Sequence, residues 1–171
     1  MVAHIENLLT PDCENCQALC CLALAIDKGP EFALDKPAGM PCPNLRTDHR
    51  CKIHENLTDL GFGGCVKYSC LGAGQWVSAL YGRETWRVNP QNARPMMDDF
   101  AIAREMRAAL ELLIAAARLP LPDALEEERQ ALITTITPGP EESRAALACW
   151  PETTKPRHQA FLVSLRAVVS H

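Results

Sequence analysis

Eight of the nine cysteines in this chain lie between Cys13 and Cys70, and the ninth, Cys149, stands alone. Cysteine at that density has two uses. It is either a disulfide framework in an oxidising compartment or a metal site in a reducing one. The opening residues, MVAHIENLLTPD, contain no Lys or Arg, no long apolar core and no small-residue cleavage signal, so they do not read as a secretory leader. The most apolar later stretch, Leu112 to Ala117, is bounded by Glu111 and Arg118 and is too short to span a bilayer. The expectation is a cytoplasmic protein without membrane attachment, whose clustered thiols hold metal.

Charge narrows the partners. The 171 residues carry 17 Lys and Arg against 21 Asp and Glu, a net charge of -4. Up to Leu80 there are six basic residues against nine acidic ones, and beyond it eleven against twelve. Neither half has the basic surplus that nucleic acid or an anionic membrane surface demands. With 47% hydrophobic residues the composition is that of a globular chain.

The pattern predicts a mainly α fold in two parts. Residues 1–88 read as a small Cys-rich metal-binding module of short irregular elements, and residues 89–171 as a small helical bundle packed on it or following it, sharing its core or standing apart. NPQNARP (Asn89 to Pro95) is the expected joint. In the first part Asp12 is placed to cap a helix running to about Ile26. Cys42 to His54 reads as two short strands around a turn at Thr47-Asp48, and Gly61 to Gly64 as a loop. In the second part Asp98 and Asp99 are placed to cap a helix from Phe100 to Leu119. Its apolar stripe runs through Phe100, Ala103, Met106, Leu110, Leu113, Ile114 and Ala117; it reads as core, with a grip on a protein partner as the alternative. Asp123 to Ile136 is a second helix, Pro140 opens a third that ends near Trp150, and Pro156 opens a fourth.

The cysteine spacing begins C-x2-C-x3-C-C. On a continuous helix, Cys13, Cys16 and Cys20 fall within about 60° of one another, whereas Cys21 points about 100° away from Cys20. Three thiolates then converge, and the adjacent pair implies two metals, a distorted helix or one structural cysteine. Cys42, Cys51 and Cys65 follow rigid turns that can close a tetrahedral site, and eight ligands fill two four-sulfur sites. His49 and His54 flank Cys51 as substitutes. Zinc suits such a set. Iron, or an iron–sulfur cluster, is the alternative, although the C-x2-C-x2-C run of many clusters is missing.

The ordered segments CENCQALCC, FALDKPAGMPCPNL, DHRCKIH and GFGGC, followed by Cys70 and GAGQ, resemble a Cys-rich module found ahead of pentapeptide repeats in some bacterial proteins. More distantly they resemble the YkgJ-type zinc- or iron-chelating family. The likeness covers about Cys13 to Trp76 and implicates Cys13, Cys16, Cys20, Cys21, Cys42, Cys51, Cys65 and Cys70 as metal ligands. It implies zinc or iron chelation rather than a reaction.

Other features have plainer readings. No strand precedes the Cys-x-x-Cys pair as a thioredoxin-like motif requires. Gly72-Ala73-Gly74 lacks the third glycine of a dinucleotide loop. Cys149, beside Trp150, is expected to be buried as a small hydrophobe, and His4, His158 and His171 are expected on the surface. No Ser-His-Asp order or carboxylate pair stands out. The sequence therefore points to a non-enzymatic metal-binding protein, with an iron–sulfur or thiol-based electron carrier as the alternative.

Overall fold

The computed structural model describes residues 2–169. The chain is mainly helical, and among these residues β pairing is confined to three isolated antiparallel bridges, Ile26 with Lys36, Gly29 with Phe32 and Leu45 with Cys51. The helices are α1 (Val2–Asn7), α2 (Leu19–Ala23), α3 (Gly63–Lys67), α4 (Ala73–Tyr81), α5 (Ala93–Ala116), α6 (Asp123–Ile136), α7 (Ser143–Cys149), α8 (Lys155–Ser164) and α9 (Arg166–Val169). His171 and the side chain of His4 lie outside the described residues. Among the described residues, no helix is long and apolar enough to cross a membrane.

The 24-residue helix α5 organises the fold. Phe100, Ala103, Met106, Leu110 and Leu113 on it are all essentially buried, so most of the apolar stripe is core, whereas Ile114 is half-buried and Ala117, just past the helix end, is exposed. This core is continuous across the expected joint. Leu19 and Leu22 of α2, Ala73 and Val77 of α4, and Trp86 join Met96 and Phe100 of α5, Leu132 and Ile136 of α6, and Trp150 in one cluster. Polar contacts reinforce the seam. Tyr81 Oη donates to Asp99 at 2.7 Å, and Trp76 Nε1 donates to Ser143 Oγ at 3.1 Å. Arg129, 6% exposed, donates from α6 to the carbonyl of Leu113 at 3.0 Å.

Several expected boundaries move. Helix α5 starts at Ala93 rather than Phe100 because Asn89 caps a short 3-10 turn, Pro90–Asn92, that feeds directly into it. Pro95 is tolerated there because a first-turn N–H has no intrahelical partner. Asp98 pairs with Arg94 instead of capping, and Asp99 takes the Tyr81 hydroxyl. Helix α6 matches its expected span.

The third and fourth helices are not separated by a loop. They join through a π-helical turn, Trp150–Thr154, in which Lys155 N–H reaches back five residues to the Trp150 carbonyl. Pro156 has no N–H, and its ring would collide with the carbonyl four residues before it in an α-helix. The wider turn relieves that crowding. Cys149 is exposed, contrary to expectation, because it lies off the face that buries Leu147 and Trp150, and His158 is 6% exposed and packed against Trp150 rather than on the surface.

Candidate metal centre

The first four cysteines do not share a continuous helix. Asp12 does cap, its carboxylate accepting from the N–H groups of Glu14 and Asn15. The capped element is only a 3-10 turn, Cys13–Asn15, and Cys16 is already extended. The break is tertiary. Gln17 N–H donates to Ser78 Oγ at 2.8 Å, the Gln17 amide donates to the Gly82 carbonyl at 2.7 Å, and Trp86 Nε1 donates to the Gln17 carbonyl at 2.7 Å. Those bonds to α4 and its flank draw Gln17 out of helical register. Ala18 then adopts a left-handed conformation at φ 57°, and α2 restarts at Leu19. The single-face argument for Cys13, Cys16 and Cys20 therefore fails.

The cysteines gather in another way. Cys13 and Cys16 come to the N-terminal end of α4. There a Cβ added at Gly74 would lie 2.7 Å from Cys16 Sγ and 3.6 Å from Cys70 Sγ. Only glycine leaves room for these two sulfurs against the helix. Arg50 donates to the carbonyls of Cys13 and Glu14 and ties the later loop to this turn.

Cys21, Cys42, Cys51 and Cys65 line a cavity of about 620 Å³, which Cys20 also reaches. Cys42 N–H donates to the Cys21 carbonyl at 3.0 Å. The expected strand pair around Cys51 survives as one bridge. Arg46 and Arg50 close the turn at Thr47-Asp48, and Lys52 N–H bonds to the Asn44 carbonyl at 2.8 Å. Cys65 rides on α3, which begins at Gly63, inside the stretch expected as a loop. Gly64 N–H bonds to the Glu31 carbonyl, Lys67 pairs with Glu31, and a methyl at Gly64 would strike the Phe32 ring. His54 lines the cavity, whereas His49 packs edge-on against Trp86 with ring centroids 5.6 Å apart.

The adjacent pair is closer than helical geometry suggests, with Cys20 Sγ and Cys21 Sγ 3.9 Å apart. Among the described residues, no three His, Cys, Asp or Glu side chains converge tightly enough to hold an ion as they stand. One staggered χ1 step carries a cysteine sulfur roughly 3 Å.

All nine cysteines are free thiols. Burial raises the Cys13 thiol and pushes Cys16 and Cys65 up to about 11. The contact with Cys21, then burial, raises Cys20. Without a cation these four thiols keep their protons at neutral pH, and a bound metal ion would have to displace them.

Two further groups fit a metal–thiolate centre and carried no recognisable sequence signal. Lys36, 4% exposed, donates its ammonium protons to three carbonyls, Met40 at 2.8 Å, Pro37 at 3.2 Å and Leu22 at 3.4 Å. Burial pulls its pKa below the usual lysine range, and Cys42, Cys21 and Cys20, when charged, oppose that shift. A buried cation beside thiols supplies the countercharge that a metal held by four thiolates calls for. Tyr68 lines the cavity, and its buried hydroxyl has no hydrogen-bond partner.

Comparison with known proteins adds one relative. Over 134 residues the chain is 40% identical to an uncharacterized protein, YybG, of Bacillus subtilis (strain 168). The match covers 78% of this chain and 48% of YybG, so the chain corresponds to about half the length of that relative. No protein-family model matches the sequence, and no solved structure matches it significantly.

Proposed function

We propose that this chain is a non-enzymatic metal-binding protein of a reducing, cytoplasmic compartment, holding zinc through the thiolates of Cys13, Cys16, Cys20, Cys21, Cys42, Cys51, Cys65 and Cys70. The observation that carries this reading is the gathering of eight free cysteines around the start of α4 and one adjoining cavity. The buried Lys36 ammonium and the unpartnered Tyr68 hydroxyl beside them support it. Zinc bound there would act as a cross-link between segments that have little regular hydrogen bonding of their own, so its binding energy would be folding energy.

An iron–sulfur centre is the second reading, favoured by the size of the cavity, which far exceeds a single ion. One experiment tests both. Anaerobically purified protein is analysed for zinc, iron and sulfide, its absorbance is recorded, and its thiols are titrated before and after chelation. Zinc without visible absorbance, with eight thiols unmasked by chelation, supports the first reading. Iron with sulfide and a brown spectrum supports the second. Metal-free protein with all thiols reactive from the start refutes both.

A further inference from the structure

We infer that the eight cysteines form two separate four-thiolate centres, Cys13, Cys16, Cys20 and Cys70 in the first and Cys21, Cys42, Cys51 and Cys65 in the second. This inference rests on the metal-binding reading above and assigns each ligand within it.

The division follows from what holds each cysteine. The first set belongs to the start of α4. Cys70 precedes it directly, with Ala73 N–H bonded to the Cys70 carbonyl at 3.0 Å. Cys16 Sγ lies against Gly74 beside Cys70 Sγ. The turn carrying Cys13 is tied to α4 on either side, by Asp12 N–H to Gln75 Oε1 at 3.2 Å and by Gln17 N–H to Ser78 Oγ at 2.8 Å. None of these three cysteines lines the large cavity. The second set does. Cys42 is bonded through its backbone to Cys21, Cys51 is bridged to Leu45, and α3 carries Cys65 onto the same wall.

Cys20 and Cys21 are where the two sets meet. Cys20 lines the cavity as a fifth thiol, its sulfur 3.9 Å from that of Cys21. The first set lacks a fourth thiol and the second already has four, so Cys20 completes the first. With the two sulfurs at their present 3.9 Å separation and metal–sulfur bonds of about 2.3 Å, the two ions would lie within about 8.5 Å of each other. Each thiol gives its proton to solvent as its sulfur binds. No oxidation state changes.

Titration of reduced, metal-free full-length chain with Co2+ under anaerobic conditions tests this, following thiolate-to-cobalt absorbance and far-ultraviolet circular dichroism together. Wild type should bind two equivalents. Cys13→Ser/Cys70→Ser and Cys42→Ser/Cys65→Ser should each lose one equivalent and keep the other at wild-type absorbance per ion. Cys13→Ser/Cys42→Ser should weaken both. Saturation of wild type at one equivalent overturns the division, and so does a mixed pair that keeps one unperturbed equivalent. If a same-set variant loses its helical signal, Gly74→Ala decides, because it keeps every thiol. It should weaken one equivalent only, and equal weakening of both overturns the division. Wild type that binds no Co2+ overturns the metal-binding reading itself.

Discussion

Gly74→Ala separates the demands of the bound state from those of the empty one. The new methyl carbon would lie 2.7 Å from Cys16 Sγ, where ordinary contact needs about 3.5–4.0 Å, so one partner must retreat by about 1 Å. In the metal-free protein the Cys16 side chain can turn away, and alanine is the better helix former by about 0.8–1.0 kcal/mol. Metal-free stability should therefore stay level or rise, by up to about 4 °C in Tm. In the metal-loaded protein the sulfur is fixed by its bond and cannot turn. Overpacking then costs about 1–3 kcal/mol, a loss of about 5- to 150-fold in affinity for one equivalent. Competition against a chromogenic chelator measures the affinity, and thermal unfolding in excess chelator measures the empty state. Wild-type affinity for both equivalents, or a fall in metal-free Tm that alone accounts for the lost affinity, would refute the placement of Cys16 against this helix.

Other outcomes follow from the same geometry. Lys36→Met should weaken zinc binding about tenfold, the loss of one countercharge worth roughly 1.4 kcal/mol, as read by chelator competition at several salt concentrations. Cys149→Ser should leave metal content unchanged and alter stability by no more than about 0.5 kcal/mol, because Cys149 is exposed; metal analysis and denaturant unfolding check both. Phe100→Ala should cost about 3–5 kcal/mol and lower the unfolding of both halves together, since Phe100 lies in the shared core; tryptophan fluorescence and circular dichroism should report coincident transitions. Hydrogen bonds from Arg129 and then Gln130 hold Glu126 well below the usual glutamate range, at about 2. A carboxylate with a depressed native pKa stabilises the fold above its unfolded pKa, and that stability is lost as pH falls toward 2. Glu126 is 41% exposed and screened, so Glu126→Gln should cost only about 0.5 kcal/mol at pH 7, and the difference should vanish near pH 2 in urea titrations.

The helical half was largely readable because its signals are local. Asp123 to Ile136 is bracketed by prolines, Pro122 just before it and Pro140 shortly after it, and the stripe through Phe100 and Leu113 repeats with helical period. Local signals failed where a distant residue decided the backbone. Nothing between Cys13 and Ile26 announces that Ser78, Gly82 and Trp86 will claim Gln17, so the sequence predicts a continuous helix with Cys13, Cys16 and Cys20 on one face. The reversed burial of Cys149 and His158 has another cause. Residue type alone places them, whereas Leu147, Trp150, Thr154, His158 and Phe161 form one buried face that Cys149 misses. For the candidate centre, the types and spacing of the cysteines were legible. Their grouping was not, because it depends on a glycine that leaves space and on backbone bonds between loops.

The bonds from Gln17 to Ser78, Gly82 and Trp86, together with the burial of Leu19 and Leu22 in a core that includes α5, also set an order of events during synthesis. A nascent chain that has emerged only as far as Cys70 holds all eight clustered cysteines but lacks the helices that separate and seat them. At that stage the thiols are open to any soft cation or oxidant they meet. On the proposed metal-binding reading, loading would wait until roughly the first half of α5 has left the ribosome, and the interval before then is when the thiols would most need a reducing environment.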